Sequence, residues 1–347
     1  MTASRSWPAL LNQLLLRQDL TAEQAAGLME GWLEAQIDPV LTGGLLVALS
    51  VKGVNGEELA GMAQVLRQAC AMPPSRPALH LVDTCGTGGD GANSFNISTA
   101  VAFVAAACGA SVAKHGNRSA SGKVGSADVL EALGICLGAP QEQVVAALGQ
   151  AGLTFLFAPG WHPALVGLAP LRRSLGIRTV FNLLGPLVNP LRPDSQVLGV
   201  ARMELLDPMA EALARLGLER AVVVHGAGGL DEASLAGPNT LRLVEAGQIR
   251  AAELDPGALG LQIAPIEALA GGDLALNRSI LEAVLQGRGS QPQGDVVALN
   301  AALVLWAAGV VDAVPEGLAL AQRAVADGLG WQKLLALRQA LPAPLAG

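Results

Sequence analysis

Hydrophobic residues open the chain at helical spacing. Over residues 5–18, Trp7, Leu10, Leu11, Leu14 and Leu15 fall on one face of a helix. Thr21 followed by Gln24 is a capping-box signature for a second helix, and Asn55 followed by Glu58 repeats it. Asp38-Pro39 supplies a cap with proline at the first helical position. Four helices are therefore expected within residues 1–74, with no strand signal among them. Pro73-Pro74-Ser75-Arg76-Pro77 then reads as a stiff linker and a domain boundary.

Beyond the linker the pattern changes. Short apolar runs, mostly β-branched or aromatic, alternate with helical stretches, as in an α/β domain. Strands are expected at 80–84, 111–114, 153–157, 196–200 and 220–224. Helices are expected at 97–108, 126–134, 140–151, 204–216, 273–286, 295–309, 315–327 and 331–340. Residues 239–252 read as an antiparallel pair at a sheet edge, and 163–190 as a helical stretch broken by prolines. Residues 91–113 and 296–311 are long and uncharged, but Asn, Ser, Thr or Gly punctuates both, so core helices are expected rather than membrane spans.

Composition narrows the class. At 347 residues, 51% of them hydrophobic and 15% charged, the chain can build two units with large cores. The net charge of −7 disfavours a general nucleic-acid or anionic-membrane surface, so an anionic substrate needs a local cationic cluster or a metal. Cys70, Cys85, Cys108 and Cys136 form no C-x-x-C pair, and the first residues have no apolar run behind a basic start. Reduced thiols and a cytoplasmic location are expected.

The chemistry concentrates between Asp83 and Asp128. The strand ending His80-Leu81-Val82 feeds a loop with glycines at 86, 88, 89 and 91. Glycine lets backbone amides turn toward a ligand that a Cβ would keep away. A helix follows, with Asn96 or Ser98 expected to cap it, and its start offers unpaired N–H donors that suit phosphate. The next strand ends in the polar, basic Lys114-His115-Gly116-Asn117-Arg118-Ser119. The spacing is neither the dinucleotide G-x-G-x-x-G nor the P-loop pattern. Singly each glycine reads as a turn; together with Lys114 they read as an anion site.

The combination GTGGDG at 86–91, NIST at 96–99 and KHGNR at 114–118 closely resembles the anthranilate phosphoribosyltransferases. Arg172-Arg173, Leu175-Gly176-Ile177-Arg178-Thr179, Phe181-Asn182 through Pro186 to Asn189-Pro190, His225-Gly226 and Gly229-Leu230-Asp231-Glu232 agree in the same order. The resemblance implies an α/β fold with a small helical domain and a larger domain around a mixed, mainly parallel sheet, as in the nucleoside phosphorylases. It implies that 163–190 returns to pack with 1–74, leaving 75–162 and 191–347 as the α/β domain. It implies transfer of phosphoribose from 5-phosphoribosyl 1-pyrophosphate to the amine of anthranilate, with Mg2+, in a cytoplasmic homodimer formed through the helical domain.

The residue roles carried by that resemblance are as follows. Phosphoribosyl pyrophosphate would meet Gly86, Gly89, Asp90, Ser94, Asn96, Ile97, Ser98, Thr99 and Ser126, together with Lys114, His115, Gly116, Asn117, Arg118, Ser119, Ala120, Ser121 and Gly122. Ser98, Asp231 and Glu232 would hold Mg2+, to which oxygen ligands are suited. Arg172, with Gly86 and Asn117, would hold the anthranilate carboxylate through a planar guanidinium fork, while Arg173 stays at the surface. His115 and Pro186 would line the route by which anthranilate enters. Trp161-His162 stands where the family often has two histidines, and Val124 where it often has serine.

Two other readings stand beside this one. A pyrimidine-nucleoside phosphorylase relative would need groups that read a base in place of Arg172 and Asn117. A non-catalytic nucleic-acid-binding paralogue would need a basic stripe and degraded loops. The intact motifs and the acidic charge weigh against both.

Overall fold

Local signals build the first helices. The structure, a computed structural model, describes residues 6–70, 76–118 and 124–343. Pro73 to Ser75 of the expected linker and Ser119 to Gly122 of the basic loop lie outside the described residues. Helices α1 (Trp7–Leu15), α2 (Ala22–Leu33), α3 (Pro39–Lys52) and α4 (Gly56–Gln68) occupy the N-terminal region. Both capping boxes form, Thr21 with Gln24 and Asn55 with Glu58, and the Asp38 carboxylate accepts the Val40 and Leu41 amides. On α1 the expected apolar face splits: Leu14 is buried, whereas Leu15 is 65% exposed.

The next helix, α5 (Ile97–Ala107), departs from expectation at its start. Asn96 occupies the N-cap position, but its side chain makes no capping bond. Instead its Nδ2 donates to the Val124 carbonyl at 3.1 Å, fastening the helix start to the far side of the basic loop.

Seven strands form one sheet: β1 (Leu81–Gly86), β2 (Ser111–Gly116), β3 (Leu153–Phe157), β4 (Ser195–Gly199), β5 (Arg220–His225), β6 (Asn239–Glu245) and β7 (Gln248–Leu254). The order is β3-β2-β1-β4-β5-β6-β7, with β1 to β5 parallel and the expected antiparallel pair at the edge. Side chains alternate between two cores, as the two-residue period of a strand requires. Val197, Val222 and Val224 join a core with α5 and the helix Gln291–Ala307. Leu198, Ala221 and Val223 join a core with α2, α3, α4, Leu206–Arg215 and residues 180–188. The prolines of 163–190 break that stretch into short pieces, Pro163–Leu168, Ala169–Leu175, Phe181–Leu184 and Gly185–Leu187.

The chain runs from β1 outward through β2 to β3, then returns to β4 on the other side of β1. Ligands gather at such a switch point, outside the carboxyl ends of the strands. There Gly86 pairs in register with Gly199, and Gly226 follows β5. A Cβ on Gly86 would fall on the Asp231 carboxylate, one on Gly199 on the Asp231 carbonyl, and one on Gly226 on the Glu232 carbonyl. Three strand ends without side chains thus let the segment Leu230 to Glu232 lie across them. Gly199→Ala is therefore expected to destabilise the protein by at least about 1–3 kcal/mol, the usual range for overpacking a filled site. Chemical denaturation checks this, and an unchanged midpoint contradicts it.

Candidate active site

Carboxylates crowd the switch point. One oxygen from each of Asp90, Asp231 and Glu232 lies within 4.8 Å of the others. Asp231 Oδ2 accepts the Gly88 amide at 2.6 Å, while Glu232 Oε2 is buried with no partner among the described residues. Burial, then the neighbouring Asp90, raises Asp231 to about 6. Burial and the charges of Asp231 and Asp90 push Glu232 well above the usual carboxylate range, with Lys114 opposing. An unpartnered buried oxygen beside two further carboxylates is the donor set of a hard divalent cation.

Lys114 lies beneath this cluster rather than in an open loop. It is buried, and its Nζ donates to the Thr84 carbonyl at 2.6 Å and to Ser98 Oγ at 3.1 Å. Burial lowers its proton affinity, and Asp83, Glu232 and Asp231 work against that. Ser98 shares one small cavity with Asp231, Glu232 and Asn300. The three residues of the expected cation site, Ser98, Asp231 and Glu232, are thus brought together, and Asp90 joins them.

Other expected contacts fall around this centre with distinct partners. Thr99 Oγ1 donates to Ser126 Oγ at 2.9 Å, tying the α5 start to the next helix, and Ile97 is fully buried under it. Asn96 leaves its Oδ1 buried without a partner among the described residues. Ser94 bridges to Ala270, which pins the outgoing limb of the glycine loop. Gly89 has a φ of +83°, a conformation that favours glycine. Gly116 ends β2, where a side chain would meet the Phe155 ring. The exposed Asn117 accepts the Arg118 amide. Arg118 pairs with Asp128 and with Glu131 at 2.8 Å.

Arg172, expected to meet the acceptor, has its own setting. Arg172 is half-buried over the Phe181 ring, 5.0 Å from its centroid, and among the described residues its guanidinium has no hydrogen bond or ion pair. Arg173 is exposed, as expected from its position on the helix. His115 is buried, and its Nδ1 donates to the Gly185 carbonyl at 3.2 Å beside the buried Pro186. Burial, then His162, lowers His115 to about 3, so it is a neutral wall and no general base at pH 7. The two histidine rings meet edge to face at 5.2 Å. Cys85 is no nucleophile, since burial pushes its thiol far up. His225 ends β5 bonded to the Val200 carbonyl, a structural role.

Two groups escaped the sequence reading. Buried Asp83 accepts the His115 amide at 3.1 Å and Asn189 Nδ2 at 2.8 Å, which locks β1, β2 and the 185–190 turn together. Arg178 reaches the glycine loop and donates to the Thr87 carbonyl at 2.6 Å. Both stand within or beside the quoted motifs, but their partners are far away in the chain.

The comparisons with known proteins agree with one another. Residues 78–330 match the profile of a glycosyl transferase family α/β domain, and residues 8–70 that of its helical bundle domain. An anthranilate phosphoribosyltransferase of Prochlorococcus marinus (strain MIT 9313) is 66% identical, covering 98% of this chain and 97% of its own length. One from Synechococcus sp. (strain CC9311) is 65% identical over 98% of each chain. The crystal structure of the anthranilate phosphoribosyltransferase of Thermus thermophilus superposes with a TM-score of 0.88 at 45% identity, covering 95% of this chain and 98% of that one. The Saccharomyces cerevisiae enzyme in complex with PRPP and Mg superposes with a TM-score of 0.85 at 25% identity, covering 96% and 97%.

The raised carboxylates give a pH signature. The folded cation-free protein holds protons on Asp231 and Glu232 above the range where the unfolded chain releases them, so their contribution to stability falls as pH rises from about 4 through 6. A divalent cation reverses this only where those protons are gone. Saturating Mg2+ is expected to raise the melting temperature more at pH 8 than at pH 5; equal shifts at both pH values contradict the site.

Proposed function

The chain belongs to the anthranilate phosphoribosyltransferase family, and from that membership we propose that it transfers the 5-phosphoribosyl group of 5-phosphoribosyl 1-pyrophosphate to the amine of anthranilate, the second step from chorismate to tryptophan. The products are N-(5-phosphoribosyl)anthranilate and pyrophosphate. One observation carries the reading most strongly: a buried carboxylate cluster, a buried lysine and a glycine loop share the switch point of the sheet.

The reaction breaks the C1–O bond of the sugar and forms a C1–N bond. An aromatic amine needs no deprotonation before attack, so the barrier lies in carrying charge onto departing pyrophosphate. Lys114 supplies fixed positive charge, and the amides at Gly86 to Gly89 and at the α5 start supply donors. Ser98, Asp231 and Glu232, with Asp90 adjacent, hold Mg2+, which offsets the negative charge of the leaving group. Ser94, Thr99 and Ser126 add hydroxyls around the phosphate, while the unpartnered Oδ1 of Asn96, an acceptor, suits a donor such as a ribose hydroxyl. Arg172 grips the anthranilate carboxylate together with Gly86 and Asn117. His115 stays neutral and, with Pro186, shapes the path of the amine.

The division into 1–74 with 163–190, and 75–162 with 191–347, belongs to the same reading. Packing of residues 180–188 against α2, α3 and α4 supports the return of that segment to the N-terminal helices, in a core that also takes in Leu198, Ala221 and Val223. Homodimerisation through the helical region is supported by an apolar groove lined by Leu11, Leu15, Val40, Val47 and Leu175, of which Val40 is 85% exposed. Light scattering at the monomer mass of 35.2 kDa contradicts it. No helix among the described residues is long and apolar enough to cross a membrane, and Cys85, Cys108 and Cys136 are free thiols.

Incubation with anthranilate, phosphoribosyl pyrophosphate and Mg2+ is expected to consume anthranilate fluorescence, and excess chelator to stop it. Turnover that persists in chelator contradicts the metal assignment; no turnover under any condition contradicts the function. Arg172→Ala is expected to weaken anthranilate binding by about 2–5 kcal/mol, the loss typical when one partner of a desolvated charge pair is removed. Titration showing unaltered anthranilate affinity refutes the carboxylate fork.

A further inference from the structure

Arg178 joins the helical part of the protein to the glycine loop. Its main-chain carbonyl lies 3.3 Å from Ser50 Oγ of α3, a hydroxyl shared with the Leu46 carbonyl at 2.9 Å. Its side chain crosses to the α/β part, where Nη2 donates to the Thr87 carbonyl at 2.6 Å. A Cβ on Gly89 would fall on the same guanidinium, so that group lies directly against the loop backbone. Between these two contacts, the Gly88 amide donates to Asp231 Oδ2 at 2.6 Å. A continuous run of bonded groups therefore leads from Ser50 through Arg178 and the loop to the carboxylate cluster. Beside it lies a cleft of about 540 Å3, lined on one side by Lys52 and Asn55 and on the other by Thr87, Gly88 and Gly89.

The loop needs such a support. Gly88 and Gly89 both adopt positive φ, at 67° and 83°. Glycine surrenders more conformational freedom on ordering than any other residue, so a loop carrying four of them between 86 and 91 is costly to hold in one shape. An outside group that fixes it offsets that cost before substrate arrives. The planar guanidinium suits the task, because its donors keep a fixed geometry. Partial burial, joined by the neighbouring Arg202, lowers its proton affinity, and Asp231 and Asp90 work against that. Arg178 is exposed overall, yet its guanidinium both bonds the Thr87 carbonyl and packs against the backbone at Gly89.

From this geometry we infer that Arg178 is a positioning residue for phosphoribosyl pyrophosphate and its cation: it clamps Thr87 and Gly89 so that the Gly88 amide stays on Asp231 and the loop amides keep a ready-made arrangement. It acts through the loop and touches no reacting atom. This inference rests on the assignment of the glycine loop and Asp231 to the phosphoribosyl pyrophosphate site.

Steady-state kinetics of the full-length protein test it, with Arg178→Ala, Arg178→Lys and Ser50→Ala beside the wild type. Arg178→Ala is expected to raise the KM for phosphoribosyl pyrophosphate and the half-saturating Mg2+ by about tenfold or more, the effect of losing one hydrogen bond to a charged group. The KM for anthranilate and the melting temperature stay near wild type. Arg178→Lys, which keeps the charge without the fork, recovers part of the loss, and Ser50→Ala moves the same KM by a smaller factor. An unchanged KM for phosphoribosyl pyrophosphate in Arg178→Ala overturns the inference. So does a parallel rise in both KM values with a fall in melting temperature, which marks a merely structural arginine. If Arg178→Ala does not fold, the other two variants decide: wild-type KM values in both overturn it. A wild type without transferase activity speaks against the functional reading instead, so the two failures are distinguishable.

Discussion

Like charges held together out of water set the terms for this protein. Asp90, Asp231 and Glu232 bring their oxygens within 4.8 Å of one another, and Glu232 carries one that no described residue satisfies. Two unit charges about 4 Å apart repel by roughly 4 kcal/mol at the effective dielectric of a protein surface region. One buried lysine offsets only part of this, and it is itself disfavoured by burial. The cluster is therefore stable only with protons on its oxygens or a cation among them. A divalent cation among these oxygens would relieve that repulsion.

The fold is arranged to create that crowding. Reversal of the strand order beside β1 leaves a crevice at the carboxyl ends, and bare glycines at the ends of β1 and β4 and just after β5 let the 230–232 segment settle across it. Asp83, buried and raised to about 6, fixes the positions of β2 and the 185–190 turn from beneath. The helical part contributes from the other side, through Arg172 over Phe181 and Arg178 against the loop. The segment that carries Asp231 packs through Leu230 and Ala233 into one core, and Phe181 beneath Arg172 into the other.

Much of this was legible in the chain wherever the determining interactions are local. Both capping boxes and the Asp38-Pro39 start form because each joins residues two to three positions apart. The strands were legible because their apolar runs are continuous and buried on both faces, as in parallel sheets. What escaped is non-local. Asn96 looked like a cap, but its amide is drawn to Val124, 28 positions on. Arg118 was expected among the substrate contacts, and its pairing with Asp128 and Glu131 was not legible. Asp90 was expected at the phosphoribosyl pyrophosphate site, and the fold sets it beside Asp231 and Glu232, far away in the chain. No local pattern marks Gly199 as the residue whose missing side chain makes room for Asp231.

Manganese substitutes for magnesium at oxygen sites and scatters anomalously, so a crystal of the wild-type protein soaked in Mn2+ with pyrophosphate tests the central claim directly. A strong anomalous peak within ligand distance of Asp231 and Glu232, beside Ser98, is the predicted result. Peaks confined to other carboxylates, with the three acids still crowded together and no cation among them, would contradict it.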